Sequence, residues 1–207
     1  MKVNFSKIII YVAGAALLGF VAYYFLDRHS NEYNLKILNA RNAKDYYFKN
    51  SDDSPIEHKD KFEALNYFEP DPNYKVRAKL ELLNDTAPLN ILRNDGRKEK
   101  YYRYAIARFK LDKKDLQLTL LKSAEHKKDD FLFLPFTDET CGNLSYQGGR
   151  YLDLEYKNSA ELELDFNFAY NPYCVYNYRF SCPLPPQENH IPIEIRAGEK
   201  MFSMEGH

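Results

Sequence analysis

The chain has 207 residues, 29 Lys and Arg against 30 Asp and Glu, and a formal net charge of −1. That length suits one domain plus an appendage, and the absence of any acidic or basic block excludes the electrostatic footprint of a nucleic-acid partner. Eighteen Tyr and 14 Phe with no Trp lean toward a β core, since ring side chains fit a pleated, half-buried surface.

Taken in chain order, residues 1–7 read as a short cytoplasmic tail and Ile8 to Leu26 as an uncharged run of 19 residues. As a helix that run spans about 28 Å, close to the bilayer hydrocarbon thickness. It ends without a small-x-small cleavage site, which favours an uncleaved anchor over a signal peptide. Lys2 and Lys7 precede it, and the long remainder translocates largely regardless of charge. Residues 27–207 are therefore expected outside the cytoplasm, periplasmic or at the cell surface, tied to the membrane through Ile8 to Leu26. Asn31 to Asn50 reads as a helix with Tyr33, Ile37, Ala40 and Tyr47 on one face, interrupted by Lys44. Ser54-Pro55-Ile56-Glu57 predicts a second helix to about Asn66, because Ser54 can cap, Pro55 suits the first turn and Glu57 closes a capping box. Phe62 and Leu65 would point inward.

From Tyr74 the period changes to two. Tyr74, Val76, Ala78, Leu80 and Leu82 alternate with charged residues, and similar alternation marks Leu116 to Leu120, Leu152 to Tyr156, Leu162 to Phe166 and Ile191 to Ile195. Lys98 to Leu111 is apolar on parts of both faces, and Phe131 to Leu134 is a short run of buried type. The intervening connections, such as Asn94-Asp95-Gly96, Asp112 to Asp115 and Lys157-Asn158-Ser159, are too short for crossover helices, so neighbouring strands should be antiparallel. The expected fold is mainly β: an antiparallel sandwich or barrel-like domain of about eight strands, with two N-terminal helices and one transmembrane helix before it.

The densest motifs lie late in the chain. Leu134-Pro135-Phe136-Thr137-Asp138-Glu139-Thr140, Tyr146 to Leu152 around Gly148-Gly149-Arg150, the run Asp165 to Asn171, Cys174, Cys182-Pro183-Leu184-Pro185-Pro186, Glu188-Asn189 and Ala197-Gly198-Glu199-Lys200 follow an earlier block at Ser54-Pro55-Ile56 and Phe62 to Phe68. This ordered series resembles the family called domain of unknown function 1684. The resemblance implies a bacterial or archaeal domain, frequently exported, and brings no activity with it.

Two functions fit these residues. In a binding or structural module of the cell envelope, Arg150 or Lys200 would receive an anionic group of a small molecule or envelope protein. Asp165, Asn167, Asn171, Glu188 and Asn189 would supply polar contacts, and Tyr170 a flat wall. In an envelope hydrolase, two of Asp138, Asp165 and Glu188 would act as acid and base on a small polar or carbohydrate-like substrate. A scaffold role is the alternative to both, since buried polar groups must be paired in any case. Phosphate-loop, dinucleotide-binding and His-Glu-x-x-His patterns are absent, and no cofactor or resident metal is implied. Cys174 and Cys182 enclose seven residues. In an oxidising compartment they favour a disulfide contributing roughly 2.5 kcal/mol. Zinc ligation with His190, or a nucleophilic Cys174 assisted by His190, are the other readings. Cys141 reads as a small buried hydrophobe.

Overall fold

The computed structural model describes residues 5–84, 87–125, 131–156 and 159–203. The tail residues 1–4, and Lys157 and Asn158 of one expected turn, lie outside them. The chain divides into residues 1–40 and residues 41–207. The first helix, α1, runs Phe5–Asn50 without a break. Among the described residues no helix is long and apolar enough to cross a membrane, which overturns the expected single-pass anchor. The run expected to be an isolated apolar span is the leading part of a 46-residue helix that continues through Arg28, Glu32 and Lys36. The location of residues 27–207 outside the cytoplasm rested on that anchor and falls with it.

The remaining elements are β1 (Lys75–Leu82), β2 (Leu89–Leu92), β3 (Lys98–Leu111), β4 (Lys114–Ser123), β5 (Phe131–Asp138), β6 (Arg150–Glu155), β7 (Glu161–Asp165) and β8 (His190–Ile191). They form one eight-stranded sheet in the order β6-β5-β4-β3-β1-β7, with β2 on β3 and β8 on β5. Every pairing is antiparallel except β5 with β8, where Thr137 faces His190. The sheet curls into a half-barrel: Tyr151 of β6 bridges Tyr170, just beyond β7, so the two ends of the strand order meet. One curled sheet thus replaces the sandwich alternative.

The core lies on the concave face. Ala78, Ala105, Ala107, Leu118, Leu120, Leu134, Leu152, Leu164 and Phe166 are buried there, as alternation requires of a sheet with one apolar face. A second cluster packs Phe48 of α1 with Ile56, Phe62, Leu65 and Tyr176.

The expected second helix does not form. Ser54 Oγ donates to the Phe48 carbonyl and accepts the Ile56 N–H at 3.1 Å. It therefore closes the turn after α1 instead of opening a new helix. The Leu65 N–H is taken by Asp45 Oδ1 at 3.0 Å, so the segment is held as an irregular strap with Phe62 and Leu65 inward.

The disulfide is also corrected. Cys141, Cys174 and Cys182 are all free thiols, and the Cys174 N–H donates to Cys182 Sγ at 3.3 Å. The expectation leaned on an oxidising compartment, which in turn leaned on the anchor.

Candidate functional site

Arg150 opens β6 and its side chain points into the concave face with no solvent exposure. One Nη2 bond reaches Asp138 Oδ2 at 2.8 Å, another the Ile195 carbonyl at 2.8 Å; Nη1 reaches the carbonyls of Ala197 and Glu199. Asp138, at the end of β5, spends its other oxygen on Thr140 N–H at 2.9 Å, Thr140 Oγ1 at 2.6 Å and Ile195 N–H at 3.1 Å. A buried ion pair needs such additional hydrogen bonds to offset its desolvation; of the Arg150 donors, Nε alone is left without a partner among the described residues. This pair ties the closing segment, residues 195–199, to the sheet. Gly198 lets that segment pass: its φ is +76°, and a Cβ would lie 2.4 Å from the Ala169 carbonyl oxygen.

Glu199 faces the other way. Its carboxylate, 2% exposed, meets Lys44 Nζ of α1 at 2.5 Å, the Asn171 N–H at 2.8 Å and the Tyr176 hydroxyl. Burial, and then the Glu199 charge, push the Tyr176 phenol well above its ordinary range. Asn171 Nδ2 donates to the Lys200 carbonyl at 2.9 Å. The Lys200 ammonium lies over the Phe68 ring, 5.2 Å from its centroid.

The other expected site residues are spread apart. Asp165 caps the short 3-10 turn Phe166–Phe168, accepting the Asn167 N–H at 3.1 Å. Asn167 pairs with both backbone groups of Asp71, at 2.9 and 2.8 Å. Asn189 pairs with both backbone groups of Thr119 on β4, at 2.7 and 2.9 Å, and with the Pro135 carbonyl on β5 at 2.8 Å. It sits where the ladder between β4 and β5 is reduced to Leu121 opposite Phe133. Glu188 is exposed and meets Arg103 at 3.4 Å. The three carboxylates Asp138, Asp165 and Glu188 therefore belong to three different hydrogen-bond networks. His190 bonds Thr137 Oγ1 at 3.0 Å and Glu139 at 3.1 Å, away from the thiols' own partners. Among the described residues, no group of three metal-ligating side chains gathers.

Tyr170 leads to a cleft that the sequence does not announce. On the opposite face of β5 and β6 from Arg150, a cleft of about 650 Å³ is walled by rings. Tyr101 and Phe133 stack at 5.6 Å, Phe133 meets Tyr151 edge-on at 4.8 Å, and Tyr151 meets Tyr170 edge-on at 5.8 Å. Tyr173 and Phe180 extend the wall at 5.3 Å. The phenols are anchored: Tyr101 donates to Glu99 at 2.7 Å, Tyr151 to the Pro183 carbonyl, and Tyr170 to Asp153 Oδ2 at 2.8 Å. Burial is the main cause that raises all three phenol pKa values; Glu99 adds to it at Tyr101 and Asp153 at Tyr170. Lys44 enters at one end, 4.9 Å from the Tyr170 centroid, with Glu199 as its counter-ion. Glu99 is balanced by Arg93 at 3.3 Å. Asp153 has the Tyr170 hydroxyl and, among the described residues, no basic partner.

A signal for this cleft existed. Phe133, Tyr151 and Asp153 occupy the strand positions that alternate with the core set, where a sheet with one wet face should be polar; Tyr101 shares the parity of Ala105 and Ala107 and reaches this face only through the register shift between Arg103 and Ala105. Glu99, Lys44 and the ring-bearing Phe180 carried no local mark.

Residues 60–200 match the model of the family described as "Protein of unknown function (DUF1684)". The chain belongs to that family. It is also similar to the solution NMR structure of an uncharacterised protein from Haloarcula marismortui, at 37% identity and a TM-score of 0.64 over 84% of this chain and 97% of that one. No curated protein matches the chain.

Proposed function

We propose that the chain is a binding module whose ligand is a small molecule with a flat ring face, taken into the cleft walled by Tyr101, Phe133, Tyr151 and Tyr170. The observation that carries this reading is an open cleft of about 650 Å³ built from contiguous rings whose hydroxyls are already anchored. Anchored rings lose little entropy on binding and present apolar faces beside fixed polar groups. Asp153, which among the described residues has a phenol as its hydrogen-bond donor, is the acceptor offered to a hydroxyl or amine of the ligand. The buried network on the other face supports the walls without entering them. A larger depression of about 840 Å³ lies beside the β3–β4 hairpin, but charged residues such as Lys110, Asp112, Lys114 and Glu139 line it, and no ring cluster does.

The test is a panel of soluble ring compounds, sugars and aryl alcohols among them, screened by ligand-observed NMR on the full chain. Hits should perturb Tyr101, Tyr151 and Tyr170 resonances. Asp153→Asn, an exposed change, should leave the fold intact and weaken those hits at least about fivefold, as expected of a lost hydrogen bond to a charged group. Hits indifferent to Asp153→Asn and mapping outside the ring wall would overturn the reading.

A further inference from the structure

Cys182 lines the same cleft, and Cys174 lies behind it, with its backbone N–H on the Cys182 sulfur. Cys182 is fixed by the β2–β3 hairpin: its N–H donates to Asn94 Oδ1 at 2.8 Å, and its carbonyl accepts the Asn94 N–H at 3.0 Å. Cys182 forms part of the cleft wall, and its Sγ accepts from the Cys174 N–H at 3.3 Å. Cys174 sits in the turn Tyr173–Val175 that follows Pro172. We propose that this is a reversible dithiol site, with Cys182 the attacking thiolate and Cys174 the resolving thiol, which reduces hydroperoxides entering the cleft.

The charges around the pair divide their roles. The hydrogen bond from Cys174, the two backbone N–H groups of Cys174 and Tyr173, and the nearby Arg93 guanidinium hold Cys182 down to about 7 despite its burial. The same hydrogen bond, followed by burial, pushes Cys174 up. Tyr146 and Tyr151 also face the thiols, and both phenols stay protonated because burial raises them. Glu99 is turned to Arg93 and Tyr101. Cys141 is a built-in control, since burial raises its thiol and it sits among Asp138 and Ser145. A low-pKa thiolate beside a second thiol is the arrangement that oxidation selects.

In the first step Cys182 thiolate attacks the near oxygen of the peroxide. An S–O bond forms, the O–O bond breaks, and the departing oxygen takes a proton to leave as water or alcohol. In the second step Cys174 sulfur attacks Cys182 sulfur. The S–S bond forms, the S–O bond breaks, and hydroxide leaves as water with the Cys174 proton. Two thiols are oxidised and one peroxide is reduced.

The experiment uses the reduced full chain. Peptide mapping after brief iodoacetamide treatment at pH 7 should show Cys182 alkylated roughly five- to tenfold faster than Cys141: a thiolate fraction near one half against under about one per cent, offset by the lower nucleophilicity of the weaker base. Hydrogen peroxide should then remove both Cys174 and Cys182 from alkylation, with recovery by dithiothreitol. In Cys174→Ser, a dimedone adduct should appear on Cys182; in Cys182→Ser, none should appear on Cys174. Equal alkylation of Cys182 and Cys141 in the wild-type chain, or peroxide leaving both thiols free, would overturn the assignment even if either variant failed to fold.

Discussion

Replacing Arg150 with Met distinguishes a scaffold from a site most sharply. Met keeps much of the apolar stem but removes the guanidinium, which is fully buried between the Phe68 and Phe136 rings at 5.7 and 5.6 Å. Three backbone carbonyls lose a donor, at Ile195, Ala197 and Glu199, and the Asp138 carboxylate loses its counter-ion. Breaking a buried pair from one side costs about 3 to 5 kcal/mol. Each stranded carbonyl adds up to about 1 kcal/mol, less than additively. The three donors that Asp138 keeps, from Thr140 and Ile195, hold the total toward the middle, so about 5 kcal/mol is expected. That is comparable with the whole stability of an ordinary domain, about 5 to 15 kcal/mol. Urea denaturation followed by circular dichroism reads it. Arg150→Met with Asp138→Asn should recover part of the loss at pH 7. A variant within about 1 kcal/mol of wild type, yet unable to bind ring ligands, would refute the reasoning and return Arg150 to the site.

Two further outcomes test the same logic elsewhere. Asn189→Ala should lose roughly 3 kcal/mol, because it strands the Thr119 N–H and the Thr119 and Pro135 carbonyls; Asn189→Asp should be worse at pH 7 than at pH 4, since only the protonated acid can donate to those carbonyls, as paired urea curves would show. Gly198→Ala should lose about 2 to 4 kcal/mol from left-handed backbone strain plus the contact at 2.4 Å with the Ala169 carbonyl, and a neutral result by thermal melting would mean that the closing segment can move away.

The sheet was legible because its pattern is local. The alternation from Tyr74 onward marks β1, β4, β6 and β7, and the hairpin signals place their turns: Gly96 is at φ +84°, and Asp112 and Lys113 take up the left-handed conformation between β3 and β4. Two of the failures, the strand after Ile191 and the helix after Ser54, share one cause. Ile191, Ile193 and Ile195 alternate like a strand, and Ile191 and Ile195 are indeed buried, yet only His190–Ile191 pairs. Beyond that point the N–H and C=O of Ile195 are taken by Asp138 and Arg150, side chains that come from residues 138 and 150. The segment after Ser54 fails as a helix in the same way, because Asp45 claims the Leu65 N–H from α1. Local propensity cannot see a partner supplied from a distant turn. The motif residues themselves were found, but their type alone does not say whether a ligand or the chain's own backbone satisfies them.

Four separate bonding patterns show that here the backbone is the partner. Asn167 takes both groups of Asp71, Asn189 both groups of Thr119, the Asp138–Arg150 pair both groups of Ile195, and Glu199 with Asn171 the Asn171 N–H and the Lys200 carbonyl. Each does for an irregular segment what a neighbouring strand does for a ladder, satisfying N–H and C=O together. The consequence for function runs through the pleat. Arg150 and Tyr151 are adjacent, so they face opposite sides of β6; Asp138 and Phe133 likewise face opposite sides of β5. Clamping the concave side with buried polar pairs leaves the opposite side of the same two strands with only the small cluster of Ile91, Tyr101, Leu121 and Phe133. Phe133, Tyr151 and Asp153 can then remain in an open wall with Tyr101 and Tyr170 instead of collapsing inward. The densest motifs in the sequence thus fix the frame, and the cleft they frame is written in isolated rings on the face that alternation would have left to water.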